Sequence, residues 1–243
     1  MNGLDLFSGI GGLSIALSEW VKPIAYCEID AYCQGILLSR IASGELKDAP
    51  VWDDINTLEG SKFPGGYVDI IFGGFPCQDI SVAGRGKGLE GERSGLFYEI
   101  KRLASEIKPR FIFLENVPAI TTRGGTEVVR EITALGYDCR WCVISAAYVG
   151  SNHIRERFFL LAHTNSESER RLPSRETKRQ PITKLHIEHE QWEPFPENES
   201  TLLGMDDGLP FRVDRTRALG NSVCIRQTKK AFMILIGMDI IDK

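Results

Sequence analysis

The chain has 243 residues, 42% of them hydrophobic and 26% charged, with a formal net charge of −4. That length and balance describe one ordinary domain able to bury a real core, and they exclude collagen-like and low-complexity chains. No uninterrupted apolar run approaches the ~20 residues that cross a bilayer, and the mild acidic excess decides little, because nucleic-acid binding depends on local basic surface.

In chain order, "GLDLF" (3–7) reads as a short buried strand and "SGIGG" as the turn after it. "LSIALSEW" puts Leu13, Ala16, Leu17 and Trp20 on one helical face. "PIAYCEID" (23–30) is a second strand, and Asp30 can cap a helix running to about Arg40. Asp54 in "VWDDIN" follows a third, shorter strand, and "YVDIIFGG" (67–74) is another buried strand. "SGLFYEIKRLASEIK" carries Leu96, Ile100, Leu103 and Ile107 at helical spacing, and Pro109 ends it. "RFIFLEN" (110–116) is a strand, "GGTEVVREITALG" a helix, and "DCRWCVISAAYVG" and "RERFFLLAH" are strands. Strands alternating with helices predict an α/β fold, Rossmann-like and doubly wound around a mostly parallel sheet. In such sheets ligands bind at the carboxyl ends of the strands.

After His163 the composition turns polar, with both charge signs and little periodicity. The expected organisation is a catalytic, cofactor-binding domain over 1–163, a loop-rich insert over 164–212 and a returning segment over 213–243. That segment holds a closing helix, roughly 223–238, with Val223, Ala231, Phe232, Leu235 and Met238. The chain opens on a strand pattern, so no leader is expected, and its six cysteines are scattered, mostly among apolar neighbours. Both features predict a cytoplasmic protein with reduced thiols.

"DLFSGIGG" places glycines where the first strand enters the first helix, a turn that lets backbone approach a ligand closely. The dinucleotide fingerprint G-x-G-x-x-G is matched by Gly9 and Gly11, but its third position is Ser14. Glu28 ends the second strand, where a carboxylate can accept both hydroxyls of a ribose, and Asp54 is placed for an adenine amine. Together these favour an adenosine-containing cofactor, either a nicotinamide dinucleotide or S-adenosyl-L-methionine.

Free cysteines are usually small core residues, and Cys27, Cys33 and Cys224 read that way. "CRWC" (139–142) has the spacing of a redox pair or half a zinc site. A second pair is missing, and on a strand the two thiols face opposite sides, so no metal is expected. Cys77 differs: it follows Pro76 at a strand's carboxyl end, and a loop with Arg85, Lys87 and Arg93 comes next. Positive charge favours the thiolate and suits a phosphate backbone. Glu115 in "FLENV", and Arg155 and Arg157 in "HIRERFF", supply an acid and cations for a neutral ring that must be held and made electron-poor.

"DLFSGIGG", "GGFPCQDIS", "LENV", "RERFF" and "ALGNSV", in that order, resemble the C5-cytosine DNA methyltransferase family. The resemblance covers nearly all of 3–163 and 215–238. It implies S-adenosyl-L-methionine as methyl donor and a cytosine flipped out of double-stranded DNA as substrate. Carried over residue by residue, it places Phe7, Gly9, Gly11, Glu28, Asp54 and Pro76 around the cofactor, with Asn221 closing the pocket. Cys77 would attack C6, Glu115 would hydrogen-bond N3 and the exocyclic amine, Arg157 would hold O2, and Arg155 would support the site. Gln78, Ser81, Arg85 and Lys87 would contact DNA. His153 stands where the family's arginine motif often begins with glutamine, and the short insert resembles compact enzymes often encoded by phages and prophages; a monomer is expected.

Rival expectations are a transfer-RNA methyltransferase of the same fold, a nicotinamide dehydrogenase and a non-catalytic DNA-binding relative. The transfer-RNA branch usually has a second proline where this chain has Phe75. A dehydrogenase explains neither Cys77 nor "RERFF". A non-catalytic relative would normally have lost the thiol or the acid.

Overall fold

A computed structural model describes residues 1–76, 95–164, 218, 220 and 222–237. The expected insert (164–212) lies outside these residues except for Thr164, which ends a strand.

The strands are β1 (Asn2–Leu6), β2 (Lys22–Cys27), β3 (Val51–Trp52), β4 (Ile70–Gly74), β5 (Phe111–Asn116), β6 (Tyr137–Ser145) and β7 (Glu156–Thr164). The helices are α1 (Gly12–Ala16), α2 (Ala31–Ala42), α3 (Gly95–Ile107), α4 (Gly125–Ala134) and α5 (Ile225–Ile236). The strands form a seven-stranded sheet in the order β3-β2-β1-β4-β5-β7-β6. Pairing is parallel from β3 across to β5, while β7 runs antiparallel to both β5 and β6. The order reverses direction between β1 and β4, the switch point outside which doubly wound sheets bind ligands. This is the Rossmann-like architecture the alternating pattern predicts.

Side-chain alternation sorts the core into two layers. Ile112 and Leu114 of β5 join Leu4, Leu6, Ile71, Leu160 and the apolar stripes of α3 (Phe97, Ile100, Leu103) and α4 (Val128, Ile132). Phe111 and Phe113 face the other way, with Phe72, Phe159, Leu13, Leu17 and the α5 residues Phe232 and Leu235. Phe113 stacks on Phe159 at 5.9 Å and meets Phe232 edge-on at 5.2 Å. Cys139 and Cys142 fall on opposite layers, as their spacing on a strand requires.

Several boundaries differ from the sequence pattern. The first helix ends at Ala16, and the chain then winds down through a Ser18-to-Ile15 hydrogen bond, although Leu17 stays buried. The strand expected over 67–74 begins only at Ile70, after a turn closed by Tyr67 N–H on Pro64 O. The strand expected through Gly150 ends at Ser145, whose hydroxyl accepts from Ala147 N–H and starts a short 3-10 turn. Asp30 does cap α2, accepting from Tyr32 and Cys33 N–H at 3.0 Å each.

Candidate active site

A cleft of about 630 Å³ opens at the carboxyl ends of β1, β2, β4 and β5. Among the residues that line it are Phe7, Gly9, Glu28, Asp54, Pro76, Glu115 and Arg157. The two halves of the expected site, one for an adenosine and one for a ring, therefore share one cavity.

The turn after β1 forms one wall. Phe7 (φ 54°) and Gly9 (φ 54°) both adopt the left-handed region, which is costly for phenylalanine and free for glycine. The turn is fixed to β2, since Ser8 N–H donates to Cys27 O at 3.0 Å. Glu28 is held by backbone: its Oε2 accepts from Gly9 N–H at 2.7 Å and its Oε1 from Asp30 N–H at 2.8 Å. A carboxylate pinned by two amides is pre-oriented toward the cleft, with lone pairs left for hydroxyl donors. Gly11 does not line the cleft. It adopts φ 85° at the cap of α1, and a Cβ there would lie 2.6 Å from the Leu46 side chain.

The other wall follows from strand parity. Glu115 continues the Phe111/Phe113 face of β5, and Arg157 continues the Phe159/Leu161 face of β7. Because β7 is antiparallel, its amino-terminal start lies beside the carboxyl end of β5, with Glu115 opposite Phe159. Arg157 Nε therefore reaches Glu115 Oε1 at 2.9 Å. Burial raises the proton affinity of the Glu115 carboxyl, outweighing the opposing pull of Arg157 and Arg155. A carboxyl so placed holds its proton more tightly than an exposed one and faces the cleft, where a ring nitrogen could meet it. Arg155 points elsewhere, to the carbonyl oxygens of Gly220 and Ser222.

Four residues of this site carried no expectation from sequence. Gly74 pairs with Glu115, and a Cβ there would lie 2.8 Å from Glu115 Oε2, so glycine makes room for the carboxylate. Buried Asn116 donates to Phe75 O at 3.0 Å, fixing the backbone just before Pro76. Gln227, fully buried in α5, bonds the backbone of β6 and of Arg155. Asp5, fully buried in β1, accepts from Ser14 Oγ at 2.5 Å. Asp5 left a signal in the sequence, an acid inside the apolar "LDLF", and its partner Ser14 stands where the dinucleotide fingerprint has glycine. Cys77, Gln78, Ser81, Arg85, Lys87 and Asn221 lie outside the described residues.

A family model described as C-5 cytosine-specific DNA methylase matches residues 1–227. The type II methyltransferase M.CviJI of Paramecium bursaria Chlorella virus IL3A is 37% identical over 160 residues, covering 65% of this chain and 42% of that protein. M.HhaI of Haemophilus parahaemolyticus is 34% identical over 167 residues, covering 67% and 49%. The chain thus spans about half the length of these curated relatives. A prophage-encoded E. coli protein described as a DNA modification methyltransferase superposes with a TM-score of 0.55 at 26% identity, over 68% of this chain and 47% of that one. No helix among the described residues is long and apolar enough to cross a membrane. With Glu115 and Arg157 on neighbouring strands of one sheet, a cleft at its switch point and a family match running from the first residue into α5, the chain belongs to the C-5 cytosine-specific DNA methylase family.

Proposed function

We propose that this protein transfers a methyl group from S-adenosyl-L-methionine to C5 of a cytosine flipped out of double-stranded DNA. The observation that carries the reading is the Glu115–Arg157 pair, which opens into the same cleft as the backbone-pinned Glu28. The cleft fits the cofactor chemically. Glu28 and Asp54 offer acceptors for hydroxyl and amine donors, and Phe7, Phe75 and Leu96 offer apolar surface for a purine. When bound, the cofactor supplies an electrophilic methyl group on a positively charged sulfur.

The chain's own residues then act on the base. Arg157 holds O2, while Glu115 bonds N3 and the exocyclic amine, which relieves negative charge as it develops on the ring. Cys77, directly after cleft-lining Pro76, adds through its thiolate to C6. The C5–C6 bond so activated takes the methyl group at C5. Loss of the C5 proton then re-forms the double bond and expels the thiolate. Gln78, Ser81, Arg85 and Lys87, which follow Cys77, are assigned to DNA contact, and Asn221 to closing the cofactor pocket. The segment over 164–212 is assigned to choice of the target sequence.

Radiolabelled S-adenosyl-L-methionine, offered separately with duplex DNA and with transfer RNA, tests this. Label is expected in DNA, and Cys77→Ser is expected to abolish it, because a hydroxyl is a far weaker nucleophile at neutral pH. Label in RNA alone would reassign the substrate. Undiminished transfer by Cys77→Ser would remove the covalent step.

A further inference from the structure

Arg157 at the start of β7 and Arg155 just ahead of it take different partners. Arg157 turns to Glu115, whereas Arg155 Nη2 donates to Gly220 O and Ser222 O, 2.8 Å to each. The backbone oxygen of Arg155 accepts from Gln227 Nε2 at 2.6 Å, and the same amide also donates to Ile144 O at 2.6 Å. One residue thus grips the returning chain through its side chain and is gripped by α5 through its main chain. Among the described residues Arg155 pairs with no carboxylate, and its buried Nε has no partner. Its hydrogen bonding is spent on that segment.

The segment matters because Gly220, Ser222 and Val223 line the cleft. It packs against the turn after β1: a Cβ on Gly12 would lie 3.0 Å from Val223 Cγ2. Carbonyls at the mouth of a cleft need a fixed donor if the wall is to keep its shape, and a guanidinium donating to two of them supplies charge-assisted bonds.

We propose that Arg155 is a positioning residue for the cofactor, locking Gly220 and Ser222 into the wall of the cleft, and not a group that acts on the base. The assignment rests on the S-adenosyl-L-methionine reading above. Its loss lowers cofactor affinity, whereas loss of Glu115 or Arg157 lowers turnover.

Calorimetric titration with S-adenosyl-L-homocysteine, paired with steady-state methyl transfer, separates the two. Arg155→Ala is expected to weaken binding roughly tenfold or more, with KM for the cofactor rising in step and kcat at saturation largely kept. Arg155→Lys should recover part of the affinity, and Glu115→Gln should bind normally but turn over poorly. Normal binding by Arg155→Ala with lost turnover would overturn the proposal. If Arg155→Ala does not fold, Arg155→Lys carries the same comparison. If the wild-type protein binds no S-adenosyl-L-homocysteine, the functional reading fails and the clamp is judged separately. Amide exchange over 220–224 then decides: faster exchange in Arg155→Ala supports the clamp, and unchanged protection refutes it.

Discussion

Asp5 offers a measurement that needs no substrate. Its carboxyl is fully buried in β1 under the glycine turn, with Oδ2 bonded to Ser14 and Oδ1 without a partner among the described residues. Burial pushes its pKa from an ordinary 3.8 to about 7, against the lowering influence of the Ser14 and Ser8 hydroxyls. Below pH 3.8 both folded and unfolded chains hold this proton, so the group has no effect on stability there. Between about pH 4 and pH 7 the folded state keeps a proton that the unfolded chain has released, and stability falls as pH rises. A gap of about 3 pH units, at about 1.4 kcal/mol each, is a loss of about 4 kcal/mol that is complete above pH 7. Asp5→Asn removes the titration. It also places an amide donor where Oδ1 had no partner, which costs about 1–3 kcal/mol at every pH. The level therefore shifts, but the pH slope assigned to Asp5 disappears. Urea unfolding from pH 4 to 8 should give curves for wild type and Asp5→Asn that converge or cross by about 4 kcal/mol over this interval. Parallel curves would refute the buried, proton-holding carboxyl.

Two further outcomes follow from packing. Gly74→Ala sets a Cβ 2.8 Å from Glu115 Oε2 and pushes the carboxylate off Arg157. The fold should survive, since the contact is with a side-chain tip, but methyl transfer should fall roughly tenfold or more with cofactor affinity kept; full turnover would show that the carboxylate needs no such room. Phe232→Ala removes the ring wedged between Phe113 and Trp20, and urea unfolding should report a loss of about 3–5 kcal/mol. A loss under about 1 kcal/mol would mean that α5 contributes little to this layer.

The sequence determined the layers and the chemistry on offer. Apolar strands such as "FIFLEN", followed or preceded by helices with one apolar stripe, leave a doubly wound sheet as the arrangement that buries both faces. The apolar run "FIFL" also put Glu115 at the carboxyl end of a strand, where such sheets gather their ligands. Local capping residues, including Asp30, were readable because they act within one turn of the chain. Helix and strand ends were less readable: apolar pattern does not show where a turn ends, and the Pro64–Tyr67 turn takes the start of the stretch expected as β4.

Only the tertiary structure decided which groups meet. Reading Arg155 and Arg157 at a strand end gave no direction for that strand. The antiparallel insertion of β7 between β5 and β6 brings its first residues to the carboxyl end of β5, and so sets Arg157 against Glu115. The same reversal turns Arg155 to a segment 65 residues away in sequence. Alternation along a chain is a local property that fixes the face a side chain occupies. Strand direction and loop return are settled by the packing of the whole sheet, and they choose its partner.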